Sequence, residues 1–183
     1  MKTFFTYLLL IITAMLIAGI YGALHNQISF TVSAEYFTKF KYKQFDLIDS
    51  HLPDRLKVSI IGFLASWRMG AIVAIIIGDF GSLDRTWKEM YLCGLRAFVT
   101  ALCITCVTGA IGLMYGWFFA NHDASLCKRF CYPDEVENVR NFIAVGHLHN
   151  YGYMGGALGI VGGLIHQNLM KRQGKQEGDN SPV

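Results

Sequence analysis

Apolar residues gather into four stretches, each close to the roughly 20 residues that a bilayer-crossing helix needs. They are Phe4 to Leu24, Val58 to Gly78, Ala97 to Phe119 and Phe142 to Ile165. Thr6 and Thr13 are the strongly polar interruptions of the first, and Arg68 interrupts the second. Between the stretches lie a long segment, His25 to Lys57, a short polar one, Asp79 to Arg96, and a middle one, Ala120 to Asn141. The pattern predicts an all-α membrane protein, a four-helix transmembrane bundle forming a single four-span domain over residues 1–170. The polar tail, residues 171–183, is expected to be disordered. The first run follows Met1-Lys2 as a signal peptide would, but it outlasts the roughly 7 to 15 apolar residues of such a segment and lacks a small-x-small site at its end. It reads as a retained anchor.

The first loop carries its own pattern. Ile28-Ser29-Phe30-Thr31-Val32-Ser33 alternates apolar and polar, and so does Thr38-Lys39-Phe40-Lys41-Tyr42-Lys43. Period-two alternation predicts extended strands with one buried face, hence a short β-hairpin in the first outer loop. The competing reading lays this aromatic and basic run in the headgroup layer.

Composition narrows the class. Hydrophobic residues make up 53% and charged residues 16% of the chain, against about 25% charged in ordinary globular domains. With a mean hydropathy of +0.36, this excludes a disordered chain and argues against a soluble domain. A net charge of +3, scattered along the sequence, gives no nucleic-acid footprint. An even number of spans puts both termini on one side. Lys and Arg are nearly balanced between the two sides, but they are denser in the short second loop and the tail, and Lys2 precedes the first span. These features favour cytoplasmic termini.

Glycine supplies the strongest pattern. Gly109, Gly112 and Gly116 in the third span, and Gly155, Gly159 and Gly163 in the fourth, recur at helical spacing, with Gly152 and Gly156 alongside. Small residues at such spacing let helices approach closely, within one chain or between subunits. The partners this implies are the lipid bilayer and, through the stripes, other membrane subunits or a second copy. Cys103 and Cys106 in the third span read as packing residues. Cys127 and Cys131, four apart in the second outer loop, leave a local disulfide open.

Ionisable residues inside spans are costly and point to function. Arg68 lies about 15 Å into the second span by helical rise, and no Asp or Glu occurs within the four spans. Its open partners are backbone carbonyls, Asn150 or tyrosine oxygens, Glu35 from the first loop, or an anionic ligand. His25 ends the first span, and His147 and His149 open the fourth. With antiparallel neighbours, these ends and Glu35 reach the same membrane face, where Asn150, Tyr151 and Tyr153 add polar lining. Histidine and carboxylate suit zinc or iron. Buried histidines bonded to backbone or tyrosine oxygens are the alternative. On a regular helix His147 and His149 point about 200° apart, which makes His149 the interior candidate.

The runs Ile20 to Gln27, Ala34 to Thr38, Ala65-Ser66-Trp67 and His149 to Tyr153 resemble a group of small bacterial four-span membrane proteins. That group has Asp after the first His, where this chain has Asn26. The resemblance implies the fold and a bacterial inner membrane, and it carries no chemistry. Three functions stay open. One is an accessory or scaffold bundle packed through its glycines. Another is a metal-dependent enzyme with His25, Glu35, His147 and His149 as ligands, Glu35 alternatively as base, and Arg68 holding an anionic substrate. The third is a proton-linked channel or transporter.

Overall fold

A computed structural model describes residues 2–81, 86–121 and 136–179, with side chains described through residue 171 of the last stretch. Four long helices carry the architecture: α1 (Lys2–Val32), α2 (Asp54–Gly81), α3 (Trp87–Phe118) and α4 (Val139–Asp179). Between α1 and α2 the chain makes a compact elbow, a π-helical turn at Tyr36–Lys41 followed by one α-turn at Tyr42–Gln44. The described residues contain no strand, so the fold is all-α. Three helices, α1, α2 and α3, are long and apolar enough to cross a membrane.

The helices form two antiparallel pairs. In the first, the backbones of α1 and α2 approach so closely at Gly22 and Gly62 that a Cβ on either would run into the other's carbonyl oxygen. Farther along, a Cβ on Gly70 would stand 2.6 Å from the Ala14 carbonyl oxygen. Polar bonds pin both ends of this pair. Arg55 Nη1 donates to the carbonyl oxygen of Gln27 (3.0 Å), and Tyr7 Oη donates to Asp79 Oδ1 (3.0 Å). In the second pair, Gly155, Gly159 and Gly163 of α4 lie against Thr108, Ala101 and Ala97 of α3. Thr86 and Glu89 close a capping box at the start of α3, which satisfies backbone donors there.

Two buried clusters join the pairs. One, at the far end from the elbow, combines Ala14 and Ala18 of α1, Val73, Ala74 and Ile77 of α2, and Ala97, Phe98 and Ala101 of α3. The other lies under the elbow and combines Tyr36, Phe37 and Tyr42 with Val58 and Ile61 of α2 and Phe142 and Val145 of α4.

The outside is as apolar as the inside. Leu8, Ile12, Leu16, Ile20, Leu24 and Ile28 form an exposed stripe along α1. In water such a stripe would be an aggregation surface; against lipid tails it is the solvated face.

This inversion explains where the expected hairpin fails. Residues 28–32 are helical, and the second alternating run forms the π turn and the α-turn after it. Ile28 is 62% exposed and Ser29 fully buried, the reverse of a strand with a watery polar face. The hydroxyls of Ser29 and Thr31 bond the carbonyls of His25 and Gln27 one turn back, which keeps polar side chains satisfied within a helix. Cys103 and Cys106, expected as packing residues, are both exposed on α3, although Cys106 still reaches the Tyr21 side chain of α1, while Cys93 is buried. The α4 helix continues to Asp179, into the tail expected to be disordered. Lys, Arg, Gln and Glu there are good helix formers, and extending an existing helix avoids the cost of nucleation. Cys127 and Cys131 lie outside the described residues.

Candidate functional site

Between the two clusters the helix pairs part and leave a cavity of about 520 Å³, within the usual range of small-molecule sites. Ala18, Val73, Phe98 and Ala101 line its apolar end, while His25, Asn26, Lys41, Gln44 and His149 line the end beneath the elbow. Gly152 and Gly156 of α4 form part of the wall, and a Cβ on either would meet nothing within 4 Å. Leu64, Arg68 and Met69 of α2 and Tyr153 of α4 reach the cavity and are also exposed. Its mouth therefore opens sideways between α2 and α4.

His25 and His149 come together across α1 and α4, with ring centroids 5.2 Å apart at an interplanar angle of 76°. Tyr21 Oη lies 3.4 Å from His25 Nδ1, one turn along α1. On its other side His149 stacks on Tyr36 of the elbow, at 5.2 Å and 9°. His149 Nε2 is buried and has no hydrogen-bond partner among the described residues.

The remaining expected residues do not join this pair. Glu35 belongs to a latch between the elbow and α4. Its carboxylate accepts from the backbone N–H groups of Glu137 (3.0 Å) and Asn138 (2.8 Å), and Lys39 Nζ lies 2.7 Å away. Slight burial pushes the Glu35 carboxyl up, but the hydrogen bonds from Lys39, Glu137 and Asn138 outweigh it and hold the group below the usual range. His147 faces the α3–α4 seam, its ring 5.1 Å from that of Tyr115, and Tyr151 stacks on Tyr115 at 5.8 Å. Asn150 is exposed. The four-ligand set is thus not assembled, and the described residues contain no group of three or more His, Cys, Asp or Glu that could hold a metal ion. The fall-out of His147 follows from its 200° offset from His149.

Arg68 meets neither Glu35 nor Asn150. Its guanidinium lies 5.4 Å from the centroid of the Trp67 ring and makes no hydrogen bond or ion pair among the described residues. Sequence reasoning missed Lys41, which is only 9% exposed. Lys41 Nζ donates to Gln44 Oε1 (2.8 Å) and lies over the rings of Phe40 and Tyr36, at 5.0 and 5.7 Å. Burial lowers its pKa, because a charged ammonium is poorly solvated there. Its neighbours in sequence, Tyr36, Phe37 and Phe40, were the available signal. An aromatic run at helical rather than strand spacing would turn Lys41 inward.

Compared with family models, curated proteins and solved structures, the chain matches none. The site is therefore read from its own geometry.

Proposed function

We propose that the protein is a four-span accessory protein of the bacterial inner membrane, with cytoplasmic termini, that binds an amphipathic molecule entering from the bilayer. The observation that carries this reading is the cavity, apolar at one end, polar at the other and open sideways between two lipid-exposed helices. Support for α4 as the fourth span comes from its outer face. Met154, Leu158, Val161, Ile165 and Leu169 are all exposed and apolar, while the residues that dilute its hydropathy, such as His147, His149 and the glycines, turn inward or onto α3. The glycine stripes serve packing within the chain. Gly112, Gly116, Gly155, Gly159 and Gly163 are covered within the chain, so these positions are not free to receive another subunit.

A metal-dependent enzyme has less support, since the histidine pair supplies two ligands and Glu35 is held elsewhere. No observation favours a channel. The test is to extract wild-type protein and a Gly152→Leu/Gly156→Leu variant, purified in mild detergent, and identify bound small molecules by mass spectrometry. The wild type is expected to retain an amphiphile that the filled variant lacks. Equal content in two equally stable proteins would remove the binding reading.

A further inference from the structure

Among the described residues the cavity contains two cations and no carboxylate. Lys41 is buried with a neutral amide and two rings as its partners. Arg68 stands at the mouth, within a membrane-crossing helix, against a tryptophan face. A charge removed from water costs several kcal/mol unless a counter-charge meets it, and the same holds for arginine at membrane depth. Glu35, just before the elbow, is held by Lys39 and the start of α4. His149 Nε2 adds a buried polar atom without a partner among the described residues.

We propose that the cavity takes a single-chain lipid with an anionic head group, a carboxylate or a phosphate. Lys41 supplies the counter-charge at the head group and His149 Nε2 a hydrogen bond, while Arg68 offers a cation at the mouth where the head group enters. The head occupies the end under the elbow, among Lys41, Gln44, Asn26 and His149. The acyl chain runs toward Val73, Phe98 and Ala101. From Ile61 to Val73 the wall follows α2 for about 18 Å, room for an extended chain rather than a compact ring. The mouth between α2 and α4 lets the lipid enter without leaving the bilayer, with Arg68 the first charge it meets. This inference rests on the binding role proposed above and names the chemistry of its ligand.

The experiment is equilibrium binding of radiolabelled oleate to the full-length protein in phosphatidylcholine nanodiscs, with oleyl alcohol and oleoyl lysophosphatidate as competitors. Oleate or the lysophosphatidate should bind at least about tenfold more tightly than the alcohol, as charge-assisted hydrogen bonds imply. Lys41→Gln should erase most of that preference while Lys41→Arg keeps it, and Arg68→Gln should slow the association of oleate but not of the alcohol. The better competitor of the two anions identifies the head group. Gln44→Glu, which gives Lys41 a carboxylate partner inside the cavity, should erase the preference too and decides the matter even where Lys41→Gln disturbs folding. Equal binding of oleate and alcohol, both abolished by Gly156→Leu, would overturn the anionic head group and leave the cavity's binding role standing. No binding of any probe, or binding indifferent to Gly156→Leu, would overturn both.

Discussion

On α4, Gly155, Gly159 and Gly163 lie hard against α3, whereas Gly152 and Gly156, to one side around the helix, meet nothing within 4 Å. Both sets look alike in sequence, small residues recurring at near-helical spacing. One set brings the backbones of α3 and α4 together, the close approach that small residues permit. The other leaves space, and its line continues to His149 at the polar end. Glycine in a long helix can thus mark contact or vacancy, and only the neighbouring helix tells which.

Adding bulk to each set should separate them most strongly. In Gly159→Leu a Cβ would already stand 2.7 Å from the Ala101 carbonyl oxygen, and the rest of the side chain has nowhere to go. A loss of about 3 kcal/mol or more is expected, at or above the usual range for overpacking, read as an unfolding midpoint in detergent. Gly156→Leu should stay within about 1 kcal/mol of wild type. Similar losses at both positions would mean that the vacancy closes in the folded protein. On the α1–α2 pair, Gly62→Ala should cost about 1 to 3 kcal/mol, because even a methyl group meets the Gly22 backbone.

Asn26 sharpens the comparison from the polar side. It lines the cavity, yet its Nδ2 donates to the Val58 carbonyl oxygen at 3.2 Å, so it also ties α1 to α2. Asn26→Leu removes this bond between the helices, the Val58 carbonyl keeping its place in the α2 ladder, and should cost about 1 kcal/mol. Asn26→Asp should cost a similar amount and also weaken anion binding, because it puts a carboxylate into the same end of the cavity as Lys41. A variant that lost stability while binding oleate as well as wild type would make Asn26 a tie between helices only.

Much of the helical frame was legible in the sequence because lipid demands long apolar runs with satisfied backbones. The close glycine contacts were legible as spacing. The β-hairpin expectation went wrong at Ser29 and Ile28 because alternation was read as though water lay outside. Cys103 is exposed for the same reason, since an outward apolar face accepts a thiol as readily as the interior does. The site was half legible. His25 and His149 do meet, as their positions at the end of the first apolar stretch and the start of the fourth implied. Glu35 could not be assigned from its position, because its partners are backbone N–H groups more than a hundred residues away in sequence. Lys41 was hidden inside a basic run whose other members, Lys39 and Lys43, are not buried.

Glu35 also supplies the smallest expected effect, and it tests the cavity's roof rather than its walls. Its folded-state pKa is depressed, so its stabilising contribution is complete above the unfolded value of about 4.3 and is lost as pH falls through the lower folded value. The group is partly exposed and its Lys39 partner more so, which limits the effect to about 1 kcal/mol or less. Glu35→Gln should therefore lower stability slightly at neutral pH, and the two proteins should converge in acid below about pH 4. Amide hydrogen exchange at Glu137 and Asn138 reads the latch directly, with faster exchange in the variant at neutral pH. If exchange there is unchanged while oleate binding weakens, Glu35 acts on the cavity through the elbow itself. If exchange quickens and binding holds, the roof is positioned by the buried Tyr36 and Phe37, and the latch only secures the start of α4.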